Sequence, residues 1–176
     1  ELVVVKGENA EYMVFKTSLV NGGYTLTTED LNLSTNRITS LDADGFSIGT
    51  DSEVNDAGDI YHWFAFDGNN NSDFKIGAYT GNGVDDTNIA GIGFQPDMVW
   101  IKAAAVQAAV WRSSATSSDW TNYFRNLNGV TNMIQSFGSD GFQVGTHAAV
   151  NGSGSLNFYV AFKSSAAKLF VGMYTG

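Results

Sequence analysis

The chain has 176 residues, 43% hydrophobic and 13% aromatic, with 20 glycines, one proline and no cysteine. This is enough apolar material for one large or two small β domains, while the lack of Cys excludes disulfide scaffolds, thiolate metal sites and thiol nucleophiles. Net charge is −9, unevenly spread: residues 1–96 carry 15 Asp and Glu against 4 Lys and Arg, and residues 97–176 carry 3 against 5. An acidic surface repels phosphate backbones, so nucleic acid is not an expected partner. No apolar run approaches the ~20 residues of a membrane span, so membrane insertion is not expected either.

In chain order, short apolar runs alternate with Gly, Asn, Asp and Ser clusters in the manner of an antiparallel sandwich or barrel. Strands are predicted over Leu2 to Lys6, Glu11 to Thr17, Arg37 to Leu41, Phe46 to Gly49, Ile60 to Phe66 and Phe74 to Thr80. A second set is predicted over Met98 to Lys102, Ala108 to Ser113, Met133 to Phe137, Phe142 to Gly145, Leu156 to Lys163 and Leu169 to Thr175. Thr28 to Leu33 and Phe124 to Gly129 are the only stretches expected to make a helical turn, with Thr28 or Ser118 as caps. Asp44-Gly45 and Asp140-Gly141 are expected to make type I′ hairpin turns, pairing Ile38 to Leu41 with Phe46 to Gly49 and likewise in the second set. Period-2 runs such as Phe158, Val160, Phe162 and Tyr61, Trp63 with Phe64, Phe66 predict strands covered on one or both faces.

The two sets arise because the sequence from Glu1 to Phe66 is written again, ungapped, from Asp97 to Phe162, an offset of 96. Identities fall on apolar, glycine and turn positions, as in Asp44-Gly45-Phe46 and Asp140-Gly141-Phe142, so a shared fold is being kept. After Phe66 and Phe162 the match resumes with one residue dropped: Ile76-Gly77-Ala78-Tyr79-Thr80-Gly81 answers Val171-Gly172-Met173-Tyr174-Thr175-Gly176. The expected units are therefore 1–81, lacking an equivalent of 82–96, and 82–176, ending in the strand equivalent to 74–81. Duplication multiplies a surface more readily than a single catalytic cleft, which favours a structural or surface-presenting role.

Candidate chemistry is sparse. All five Glu lie in the first copy, and Glu8, Glu11, Glu29 and Glu53 are answered by Ala104, Gln107, Arg125 and Ala149, a poor basis for a paired-carboxylate glycosidase. Asp42, Asp44, Asp51, Asp56 and Asp59 crowd one stretch, yet their spacing fits no calcium loop, so no cofactor is expected and Ca²⁺ is unsupported. His62 and His147 occupy unrelated positions and no Gly-x-Ser-x-Gly elbow occurs, so no catalytic set stands out. Trp120, Tyr123 and Tyr24 sit in polar segments between strands, where an aromatic ring can stack on a sugar. They are the candidate glycan contacts, with Tyr123 favoured because Tyr24 and Trp120 are an aligned aromatic pair, as expected of packing.

Gly93-Phe94-Gln95-Pro96-Asp97-Met98-Val99-Trp100-Ile101-Lys102 resembles a repeat of tail-fibre and other virion surface proteins of tailed bacteriophages, often marine ones. The resemblance takes in Tyr79-Thr80-Gly81-Asn82-Gly83, Ser139 to Phe142, Val150 to Gly154 and Tyr159 to Phe162, one whole unit. It departs at Ser113-Ser114-Ala115-Thr116, where the family has an Asp and an Arg-Gly pair. Taken with the repeat, it implies a non-enzymatic protein on the virion surface, a tail fibre or adhesin-type module of jelly-roll or lectin-like antiparallel β-sandwich units. Partners implied are copies of itself, other virion proteins or a host surface glycan. The alternatives are a capsid decoration or filament subunit, a secreted carbohydrate-binding module, and a glycan depolymerase.

Overall fold

A computed structural model describes residues 1–67, 72–165, 171, 172 and 174. The first unit holds β1 (Leu2–Gly7), β2 (Val14–Thr17), β3 (Leu26–Thr27), β4 (Ile38–Asp42), β5 (Gly45–Ile48), α1 (Ser52–Asn55) and β6 (Tyr61–Phe66). The second holds β7 (Phe74–Thr80), β8 (Thr87–Ala90), β9 (Met98–Ala103), β10 (Val110–Ser113), β11 (Asn122–Tyr123), β12 (Ile134–Gly138), β13 (Gly141–Val144), α2 (Ala148–Asn151) and β14 (Leu156–Phe162). From β1 to β6 and from β9 to β14, elements recur in the same order, displaced by 96 residues. Even the isolated bridges do so, Thr25 to Ser34 and Thr121 to Val130.

The fold is all-β and antiparallel. Its sheets run β3-β2-β1-β6, β11-β10-β9-β14-β7, β12-β13-β8 and β4-β5. Side chains alternate across a strand, so Val3 and Val5 of β1 pack with Val14, Ile38 and Val54 towards the β4-β5 hairpin, while Leu2 and Val4 point the other way. There they meet Phe158, Val160 and Phe162 of β14, with Met98 and Trp100 of β9 at the margin. On the far face of the second unit's large sheet, Val99, Ile101, Tyr159 and Ala161 pack against Ile134, Phe142 and Val144. Four layers therefore stack on three cores, which explains why Leu2 to Val5 of β1 is an unbroken apolar run.

The halves meet through equivalent faces, and some equivalent residues touch. Phe66 and Phe162 lie edge-to-face with centroids 5.3 Å apart, and Glu29 pairs with Arg125 at 3.2 Å. Lys102 of β9, fully buried, donates through Nζ to the carbonyls of Ala105 (3.2 Å) and Gln107 in its own unit and of Leu31 (3.4 Å) in the other. Burial pushes its pKa down to about 8, against the opposite pull of Asp30 and Glu29. Between pH 8 and 10 the unfolded chain thus binds the extra proton, so stability rises with pH by on the order of 2–3 kcal/mol, with Lys16 acting in the same sense. Above pH 10 the buried phenols of Tyr79 and Tyr159, whose pKa values are raised by burial, reverse the trend. Urea titrations across this range, compared with Lys102→Met, are expected to show the rise in the parent and a flatter profile in the variant.

Three local expectations are corrected. No helical turn forms at Thr28 to Leu33 or Phe124 to Gly129, because the backbone there is committed elsewhere. The Thr28 N–H and Phe124 N–H donate to the Met13 and Ala109 carbonyls (both 3.1 Å), and Thr27 Oγ1 takes the Glu29 N–H (3.0 Å). The short helices lie instead at α1 and α2, capped by Asp51 and His147, whose side chains accept the N–H of Glu53 and Ala149. The hairpins pair as expected, Leu41 with Phe46 and Phe137 with Phe142, but their two-residue loops are Ala43-Asp44 and Ser139-Asp140. None of these loop residues, nor Gly45 or Gly141, has positive φ, so the turns are not type I′.

The third correction concerns β6. Its counterpart β14 is buried from Asn157 to Phe162, whereas Trp63, Phe64 and Phe66 of β6 are 62%, 44% and 40% exposed. The reason is topological. β7, counted from sequence as the end of the first repeat, is hydrogen-bonded along the whole outer edge of β14, and β8 along β13. Among the described residues nothing does this for β6 or β5. The strand expected over Leu169 to Thr175 falls at residues 169, 170, 173 and 175 outside those described.

Candidate functional site

The cation at the end of β2 or β10 organises the loop that follows. In the first unit the Lys16 Nζ donates to the carbonyls of Val20, Gly22 (2.8 Å) and Tyr24, and in the second Arg112 donates to Ser118, the position equivalent to Gly22. The Arg112 guanidinium also lies over the Phe137 ring, 5.1 Å from its centroid. Asp119 takes the Asn132 N–H at 3.0 Å, and this bond holds its carboxyl below the usual range.

What the loops cover differs between the units. In the first, Val20 is buried against Leu2 and Phe15 and fills the space beneath its loop. Its equivalent in the second is Thr116, and the space is an open groove of about 430 Å³. Met98, Trp111, Ser113, Thr116, Trp120 and Asn122 line it, and Val171 and Gly172 stand at its side. The Ser113 and Thr116 hydroxyls are 3.2 Å apart. Trp120 lies over Gly129, where any Cβ would run into the indole nitrogen. Two indoles with hydroxyls and an amide form a surface suited to a sugar ring: apolar faces for stacking, donors and acceptors for hydroxyl groups.

The structure does not gather the three aromatic candidates. Trp120 is in the groove, half exposed. Tyr123, one residue beyond Asn122 and hence on the opposite face of the sheet, packs beside the core of Val99, Ile101 and Phe142. Tyr24 is exposed on the other unit. Trp111 and Met98 were missed by sequence reasoning; the signal that finds them is the cross-strand register, Trp111 opposite Trp100 and Ser113 opposite Met98.

Four of the five acids in the acidic stretch have local duties. Asp42 takes the Ser47 hydroxyl (2.8 Å), Asp51 caps α1, Asp56 takes the Ala57 N–H (2.9 Å) and Asp59 takes the Asn9 amide (2.5 Å). Among the described residues no three His, Asp or Glu side chains gather as a metal site would need, and no helix is long and apolar enough to cross a membrane.

Fold and groove together define an all-β stacked-sheet protein with internally recurring units. The chain belongs to the family described as Domain of unknown function (DUF7483), whose model matches residues 69–169. That span runs from the approach to β7 to just beyond β14, a unit that includes both β7 and β8. No curated protein and no solved structure matches the chain.

Proposed function

We propose that the chain is a non-enzymatic structural and surface module of a phage particle, a tail-fibre or adhesin-type repeat that displays loops and self-associates. The observation that carries this reading is the pattern of retention between the units. Core positions and backbone hydrogen bonds persist at the 96-residue offset, while several ionisable groups change: Glu29 becomes Arg125, Arg37 becomes Met133 and Asp51 becomes His147. Selection that keeps a scaffold and lets its ionisable groups drift is selection for shape. The likeness of Gly93 to Lys102 and its companion motifs to virion repeats supports a position on a particle, with a tail fibre preferred over a capsid decoration or filament subunit. The test is immunogold electron microscopy with antibodies to the recombinant chain, on particles whose genomes encode it. Label at fibre or tail sites is expected; label absent from particles overturns the reading.

The Trp111–Trp120 groove favours one second reading, a carbohydrate-binding module. On that reading the chain binds members of a glycan array, and Trp120→Ala weakens binding about fivefold or more, since loss of one stacking ring removes about 1–3 kcal/mol.

A further inference from the structure

We propose that His147 is an acid-sensitive latch: on gaining a proton it lets go of α2, and with α2 the connection between β7 and β8, so that the second unit loosens in mild acid while the first does not. The inference goes beyond the functional reading above and holds wherever the module is displayed.

The latch is a hydrogen bond of fixed direction. α2 begins after His147, whose ring Nδ1 takes the Ala149 N–H at 3.1 Å, while its carbonyl takes the N–H groups of Val150 (3.0 Å) and Asn151 (2.8 Å). A ring nitrogen accepts only while it carries no proton of its own. Protonation puts an N–H where the acceptor stood, aimed at the Ala149 N–H, and leaves a donor of the first helical turn without a partner. Asp51, which caps α1 in the same way, offers a carboxylate, and carboxylates as a class lose their charge only in acid about two units stronger than imidazoles need.

The surroundings give an imidazolium nothing in exchange. In the first unit Asp51 stands 3.6 Å from the Arg37 guanidinium, which also pairs with Glu53. The equivalents of Arg37, Asp51 and Glu53 are Met133, His147 and Ala149, and Met133 and Ala149 are fully buried and apolar. A carboxylate at 149 would steady a cation at 147, and a methyl group does not. On the elements around α2, Tyr79 of β7 donates to the Val150 carbonyl and Lys102 of β9 to carbonyls on the other side of its sheet. In the adjoining loops Asp119 takes the Asn132 N–H (3.0 Å), Asp85 takes the Gln135 amide (2.9 Å), and Asp86 is exposed. None of them bears on the ring, whose pKa is held below the usual value by burial.

What the latch holds is a hub. Ala149 and Val150 are buried in the core with Val99, Ile101 and Val144. The Tyr79 hydroxyl donates to the Val150 carbonyl (2.6 Å), the Gly83 N–H to the Asn151 carbonyl (3.0 Å) and the Asn82 N–H to the Asn151 side-chain oxygen (2.9 Å). The Asn151 amide donates in turn to the carbonyls of Val84 (2.8 Å) and Gly145 (2.9 Å). Freeing α2 therefore frees Gly81 to Val84, the segment that leads β7 into β8. The open form binds the proton more readily than the latched one, so opening is favoured as pH falls below about 6.5 and suppressed above it.

Amide hydrogen exchange of the whole chain at pH 7 and pH 5, expressed as protection relative to the intrinsic rate at each pH, tests the latch. Protection at Ala149, Asn151 and Gly83 is expected to fall about threefold or more between the two, within the ~30-fold that a gap of about 1.5 pH units allows. The parent's own α1 is the reference: protection at Glu53, Val54 and Asn55 is expected to change by less than about twofold. His147→Asp, which installs the cap of the first unit, is expected to abolish the fall at α2. NMR of the parent is expected to show the neutral His147 ring carrying its proton on Nε2. The proposal is overturned by protection at α2 that is unchanged at pH 5, by equal losses at α1 and α2, by a loss that persists in His147→Asp, or by a neutral ring protonated on Nδ1. Particle labelling is unaffected by any of these, so failure here and failure of the phage reading are separable.

Discussion

Glu53→Ala is expected to lower the unfolding free energy by about 3 kcal/mol, and adding Arg37→Met is expected to recover most of that loss. Arg37 and Glu53 form an ion pair in which both side chains are almost wholly buried, with Asp51 3.6 Å from the guanidinium. Truncating the glutamate strands a charge that water cannot reach, and Asp51 compensates only in part, which places the cost at the lower end for a broken buried pair. The second unit supplies the remedy, because its equivalents are Met133 and Ala149, both fully buried and apolar. Removing both charges exchanges a pair that paid for its own desolvation with the packing the fold already uses 96 residues away. Urea unfolding of the two variants at neutral pH measures both changes; a double variant as unstable as the single one would show that the pair is irreplaceable in its unit.

Gly141→Val and Gly45→Val, made at equivalent positions, are expected to differ by about 3 kcal/mol or more. At Gly141 the β8 backbone approaches so closely that a side chain must displace Ile89 and break the β13-β8 ladder. At Gly45 the same side chain enters open space beside an exposed hairpin and replaces a glycine with a good strand former, so its effect stays within about 0.5 kcal/mol. Thermal denaturation of the pair reads the difference directly, and equal losses would mean that a strand covers β5 in solution.

The sequence was most legible where the physics is local and repeated. The strand predicted over Phe74 to Thr80 is β7 to the residue, and the 96-residue offset paired each predicted strand of the first unit with its counterpart, the two-residue β3 and β11 alone being missed in both copies. It was least legible where tertiary contacts decide. β8 was missed because Thr87-Asn88-Ile89-Ala90 has little strand character of its own and is held by its ladder to β13. The helical turn was misplaced because Thr27 and Thr28 satisfy backbone groups that a helix would have used. Tyr61, Trp63, Phe64 and Phe66 read as core, as their counterparts in β14 are; that no strand among the described residues stands beside their outer edge is a matter of topology, which periodicity does not encode. Of the candidate site, Trp120 was visible as an aromatic in a polar segment. Its partner Trp111 was hidden inside a predicted strand, because only register brings the two indoles to one groove.

Amide hydrogen exchange on β6 and β14 in dilute solution tests the duplicated scaffold with unequal edges most directly. The account predicts slow exchange at every amide from Asn157 to Phe162, which are paired on both sides, and fast exchange at alternate amides of Tyr61 to Phe66, those facing the edge that no strand among the described residues covers. Equal protection of the two strands at concentrations where the chain is monomeric would contradict it.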